Sequence, residues 1–226
     1  MPVQADLPHP RDHLRSPAVA AGEGQEARAR HPAIRRADFL LERTLAVLER
    51  LDRASIERLF QAVAATHERR GTVFVCGNGG SASTASHFAQ DLAKSTIPGT
   101  EGAERLRVVA LTDSVSTITA WANDSGYEAV FEEPLRALGR AGDLLIALSG
   151  SGNSANVLRA VTCAREKGLR SFGLTGFDGG GLRKLADDGL HVESSEMEVA
   201  ENAHMVVMHM VVCAIRDWMR AEPASP

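Results

Sequence analysis

The chain has 226 residues, 44% of them hydrophobic and 24% charged, an ordinary balance for a globular domain with a sizeable core. A formal net charge of −4 excludes the basic footprint of a nucleic-acid binder. Three scattered cysteines, Cys76, Cys163 and Cys213, make no disulfide framework, and no uninterrupted apolar run approaches a membrane span, so a cytoplasmic protein without membrane contact is expected.

Residues 1–36 hold five of the nine prolines and show no sustained apolar period. Such a stretch cannot bury enough apolar surface to offset its ordering entropy, which predicts a disordered tail. Its six arginines would suit a presequence, but Asp6, Asp12, Glu23 and Glu26 count against one. The folded domain is expected over residues 37–226, introduced by a helical arm.

From Ala37 to about His67 the period is helical. Leu41, Leu45 and Leu48 form one stripe, and Ile56, Leu59, Phe60 and Val63 another, with Asp52 placed to cap the second helix. These apolar faces need cover, from the sheet or from another subunit.

The run Val73–Cys76 then reads as a buried strand. It breaks at Gly77-Asn78-Gly79-Gly80-Ser81, and Ser81–Lys94 reads as a helix. Glycines let a ligand approach the backbone, and the first N–H groups of a helix favour an anion. The spacing is neither the G-x-G-x-x-G of dinucleotide binders nor a P-loop, which needs a lysine. A phosphate-sized ligand without an obvious nucleotide is implied.

Strands follow at Arg107–Leu111, Asp143–Leu148, Arg170–Thr175 and Leu190–Val192, alternating with helices over Ser116–Ala122, Glu128–Leu138, a stretch reaching Lys167, and about Val199–Arg220. This alternation predicts an α/β fold, a parallel sheet with helices on both faces and ligands outside the carboxyl ends of its strands. The central strand meets Ser149-Gly150-Ser151-Gly152-Asn153-Ser154, whose hydroxyls and backbone donors suit a phosphate; the plainer alternative is a turn with Ser154 as helix cap. Trp121, Trp218 and the methionines of the last helix read as packing, Asp178 as a turn residue, and Glu193 and Glu196 as a solvated loop.

Gly77–Ser81, His87-Phe88-Ala89-Gln90-Asp91-Leu92, Ala122-Asn123-Asp124 and Ser149–Ser154, in that order, resemble the sugar isomerase (SIS) domain. Within it they look most like the phosphoheptose isomerases, over roughly residues 37–220. The resemblance implies a three-layer fold with a five-stranded parallel sheet. It also implies aldose–ketose isomerisation of sedoheptulose 7-phosphate through an enediol, in a homotetramer with shared sites. Asn78, Gly79, Gly80, Ser81, Asn123, Asp124, Ser149, Gly150, Ser151 and Ser154 would bind substrate, joined by Asp91 and Glu201. His87, Asp91, Glu201 and His209 surround the reacting carbons and would hold zinc, with Asp91, Glu201 and His209 catalytic. Glu198 falls close to a further acidic site position, and His204 stays outside the site.

Two positions depart from the family pattern. Asp91 stands where Glu is usual and Glu201 where Gln is usual. The shorter Asp91 is expected to keep a ligand or orienting role while Glu201 shares or takes over base duty. His87 and Asp91, four apart on one helix, share a face. Glu201 and His209, eight apart, would be separated by about 12 Å along a continuous helix. Either the chain near Glu201 is not yet helical or one of the two serves differently. The alternative readings are an isomerase for another sugar phosphate, or a non-catalytic SIS protein such as the replication-initiator-associating adaptors, which need not keep this reacting end.

Overall fold

A computed structural model describes residues 31–97 and 104–221. Most of the expected tail lies outside the described residues. Two helices lead the domain, α1 (Pro32–Glu49) and α2 (Arg53–Glu68). Asp52 caps α2 as expected, accepting from the Ala54 N–H at 3.0 Å. The stripe expected on α1 is displaced by one residue. Leu40, Val47, Leu48 and Leu51 turn inward, while Leu41 and Leu45 are 62% and 52% exposed. The inward row passes through Thr44, whose buried hydroxyl has no hydrogen-bond partner among the described residues. A polar residue in the middle of the row hides it from a hydrophobicity pattern.

Five strands form one parallel sheet in the order β2-β1-β3-β4-β5: β1 (Thr72–Gly77), β2 (Arg107–Ala110), β3 (Leu144–Ser149), β4 (Arg170–Thr175) and β5 (Asp188–His191). The central β3 is buried throughout, as its continuous apolar run requires. Alternation along the strands feeds two cores. Val73, Val75, Leu144, Ile146, Leu148, Phe172 and Leu174 face α2, α3 (Gly80–Ser95) and α8 (Met197–Ala221). Phe74, Cys76, Leu145 and Ala147 face α5 (Glu132–Leu138), α6 (Ala155–Glu166) and α7 (Gly180–Leu185). The helix expected over Glu128–Leu138 is interrupted: a 3-10 turn at Tyr127–Ala129 precedes α5, which carries Pro134 at its third residue, where a missing N–H is tolerated.

α8 is long and apolar enough to cross a membrane by length and composition, although no uninterrupted apolar run signals it. Half of that window is buried against the sheet, the arrangement of a core helix. α4 (Val115–Ser125), following β2, buries none of its residues fully.

Candidate active site

β1 and β3 are adjacent, so their two loops open side by side at the carboxyl end of the sheet. A Cβ at Gly77 would lie 2.8 Å from Ser81 Cβ and 3.0 Å from the Leu148 carbonyl oxygen, so only glycine admits this approach of β1, β3 and the start of α3. Gly79, at φ +55°, caps α3 without a side-chain bond, leaving the helix start open to an anion.

The second loop is braced from within. Ser149 Oγ lies 3.3 Å from Ser154 Oγ and accepts from the Gly152 N–H at 3.1 Å. Ser151 Oγ accepts from the Asn153 N–H, and Asn153 Oδ1 from the Gly181 N–H at 2.9 Å, which ties the loop to α7. Ser154 precedes α6 without a capping bond from its side chain, so the plainer reading of that hydroxyl does not apply.

Asn78 links the loops. Its Nδ2 donates to Asn156 Oδ1 at 2.8 Å, Asn156 Nδ2 returns a bond to Asn78 Oδ1 at 2.9 Å, and Tyr127 donates its hydroxyl to the same oxygen at 3.0 Å. Sequence reasoning found neither Asn156 nor Tyr127. Asn156 sits one residue inside α6 and is buried, and only the pairing across 78 residues of chain reveals its role. Tyr127, the single tyrosine of the chain, carries no spacing signal either.

α3 and α8 lie side by side and converge at two places. Further along them, His87, Asp91 and His209 offer ligand atoms within 4.8 Å of one another. Asp91 Oδ2 is 3.4 Å from His87 Nε2 and 3.8 Å from His209 Nε2, with the two imidazoles edge to face at 5.0 Å. Near their N-termini, Glu201 packs its carboxylate where a Cβ on Gly80 would sit. α8 is continuous from Met197, so Glu201 and His209 are about 12 Å apart along its axis. The group of possible metal ligands therefore comprises His87, Asp91 and His209, while the fourth expected ligand, Glu201, lies at the glycine loop. One turn before Glu201, Met197 fills the space over Gly150. The first turns of α8 thus touch both loops, Met197 at Gly150 and Glu201 at Gly80. Asn123 and Asp124 end α4 as an exposed pair, Asn123 Nδ2 donating to Asp124 Oδ1 at 2.7 Å. Glu198 is exposed in the first turn of α8.

Two imidazole nitrogens and one carboxylate oxygen are a donor set that zinc takes. Their separations approach the edge of about 3.4 Å in a tetrahedron with bonds near 2.1 Å. Zinc therefore fits this trio with one position left open. Cys76, beside the glycine loop, is fully buried, and desolvation pushes its thiol up to about 12, so it supplies no thiolate at neutral pH. His204 is also buried. Loss of solvation pushes it down to about 4, and its Nε2 lies 3.3 Å from the Thr175 carbonyl oxygen.

Fold and site together define a sugar isomerase (SIS) domain, and the sequence model of that domain matches residues 40–176. The phosphoheptose isomerase of Rhodospirillum rubrum is 40% identical over 161 residues, 69% of this chain and 81% of that protein. The solved phosphoheptose isomerase GmhA of Neisseria gonorrhoeae superposes with a TM-score of 0.74 at 33% identity, covering 82% of this chain and 98% of that one. The phosphoheptose isomerase of Francisella tularensis gives 0.72 at 30% identity, covering 82% and 96%. The chain belongs to the phosphoheptose isomerase family of SIS-domain proteins.

Proposed function

We propose that the chain is an aldose–ketose isomerase that converts sedoheptulose 7-phosphate into a D-glycero-D-manno-heptose 7-phosphate for heptose biosynthesis. The observation that carries this reading is the meeting of His87, Asp91 and His209 between α3, which starts at the glycine loop, and α8. The adaptor alternative has no need of such a trio.

The phosphate sits in the Ser149–Ser154 loop, where hydroxyls and N–H groups hold it without a fixed positive charge. The carbon chain then runs over Gly79 and Gly80, past Glu201. In the reaction a base takes a proton from C1 of the ketose, the C1–H electron pair forms the C1–C2 double bond, and the C2 oxygen gains a proton. The resulting enediol then loses the proton on O1 as C2 regains one, which leaves the aldose. Glu201 is the carboxylate positioned over the glycine loop to move the carbon-bound proton. His209, with Nε2 toward Asp91 and Nδ1 unbonded among the described residues, carries the proton between the two oxygens. Asp91 orients both histidines and would hold a metal with them. Zinc in this trio would polarise the carbonyl and stabilise negative charge on the enediol oxygens.

The assembly we propose is a cytoplasmic homotetramer with sites shared between subunits. Phe39, Leu41 and Leu45 on α1, each more than half exposed, and the unburied α4 support it by leaving apolar surface that a second copy would cover. Light scattering in solution tests the assembly. The function is tested by turnover of sedoheptulose 7-phosphate with added zinc and after chelation. Zinc-dependent turnover is expected. Retained phosphosugar binding with no turnover under either condition would make the chain a binding module.

A further inference from the structure

At the opposite end of the sheet, four arginines from three segments gather around a cavity of about 490 Å³. Arg69 and Arg70 leave the end of α2, Arg107 opens β2, and Arg140 precedes β3. Among the described residues, two carboxylates nearby, Asp143 and Glu104, are already engaged. Asp143, buried, accepts from the Thr72 N–H at 2.7 Å and from the Arg140 N–H at 2.8 Å, which fixes the backbone of the cavity floor. Glu104 pairs with Arg70 at 3.1 Å, but both side chains are more than half exposed, so the pair is easily exchanged. Arg69, Arg107 and Arg140 make no ion pair through their side chains among the described residues. A chain of net charge −4 therefore concentrates positive charge at one place far from its phosphate loops.

The backbone adds an independent observation. α2 ends with Arg70 N–H bonded to the His67 carbonyl at 2.8 Å and Gly71 N–H bonded to the Thr66 carbonyl at 2.9 Å. This is the helix stop that places its left-handed residue one position after the cap, where glycine is favoured. Here that residue is Arg70, at φ +57°. An arginine in a conformation that disfavours it thus stands on the wall of the cavity, where glycine would serve the turn better.

We propose that this cavity is a second ligand site, taking a small anion with two or more negative charges, a phosphorylated metabolite that the arginines grip through paired N–H donors. Leu138 and Ala141 on the same wall offer an apolar shelf for the body of such a ligand. The site is independent of the isomerase reading.

Calorimetric titration of the full chain with inorganic pyrophosphate, and separately with ATP, tests it. Pyrophosphate presents charge alone and ATP adds a planar body, so tighter ATP binding assigns the apolar shelf a role. One saturable site per chain is expected, at least tenfold weaker in Arg70→Gly and in Arg107→Ala, and unchanged in the double variant Ser149→Ala/Ser151→Ala. Arg70→Gly removes the charge while relieving the left-handed strain, so its thermal midpoint should not fall and a folding defect cannot imitate the result. Binding that is absent, that survives both arginine substitutions, or that disappears with the serine hydroxyls would overturn the proposal; the last outcome would return the anion to the phosphate loops.

Discussion

Gly80 and Glu201 are in direct contact: the carboxylate of one occupies the space a side chain on the other would need. This places an acidic group at the start of α3, where the helix dipole favours negative charge. A Cβ on the second residue of the glycine pair would therefore displace that carboxylate. The overlap that Gly80→Ala would create falls on the far end of a flexible glutamate, which can swing aside. Alanine is also favoured over glycine within a helix by roughly 0.5–1 kcal/mol. Gly80→Ala is therefore expected to keep or raise the thermal midpoint while lowering kcat at least tenfold. A fully active Gly80→Ala enzyme would show that the position of Glu201 does not matter.

Asp91 and Glu201 should separate when each is neutralised without change of shape. Asp91 lies between two histidines, so Asp91→Asn should lose bound metal and activity together, and His87→Ala should do the same. Glu201 lies apart from that trio, so Glu201→Gln should keep its metal yet lose turnover by about 10²–10⁴-fold, the usual contribution of a positioned base. Metal content measured beside kcat distinguishes the two losses. A silent Glu201→Gln with a dead Asp91→Asn would return base duty to Asp91.

What the sequence could show follows from what local pattern encodes. The strands at Val73–Cys76 and Arg170–Thr175 are short apolar runs bounded by turn residues, and the structure has β1 and β4 there. His87 and Asp91 were legible as a pair because four residues on a helix is a local relation. The distance of Glu201 from His209 is not a local relation, because it depends on whether α8 is already helical at Met197, which the acidic stretch Glu193–Glu198 obscures. Asn156 and the basic cavity were invisible for a different reason. Each is built from segments far apart in the chain and brought together only by the sheet.

The Asn78–Asn156 pair should behave as a positioning device. Asn156→Ala leaves the Asn78 amide without its reciprocal partner, at a loss of about 1–3 kcal/mol when such a group is left unsatisfied. KM should rise more than kcat falls, because the pair sets the spacing of the loops and touches no reacting carbon. Tyr127→Phe removes one bond from a half-exposed hydroxyl and should change stability by less than about 1 kcal/mol. A steady-state KM and kcat comparison, read with urea midpoints, checks both. Equal KM in wild type and Asn156→Ala would remove the positioning role.

His204 should make the fold sensitive to mild acid. Burial holds its folded-state value at about 4, below the ordinary 6.5 of the unfolded chain. Between those two pH values the unfolded chain takes up a proton that the folded chain refuses. The stability contributed by the neutral ring is therefore complete above pH 6.5 and is lost as pH falls toward 4, by roughly 3 kcal/mol in all. His204→Leu should flatten this slope without wrecking the core. The Thr175 carbonyl oxygen that His204 Nε2 faces also accepts from the Val192 N–H at 2.8 Å, so it does not become an orphan. The ring's own buried Nδ1, which has no partner among the described residues, is removed by the same substitution. Urea unfolding of both proteins at pH 7, 6 and 5 measures the effect. Parallel loss of stability in wild type and His204→Leu would assign the acid sensitivity to other groups.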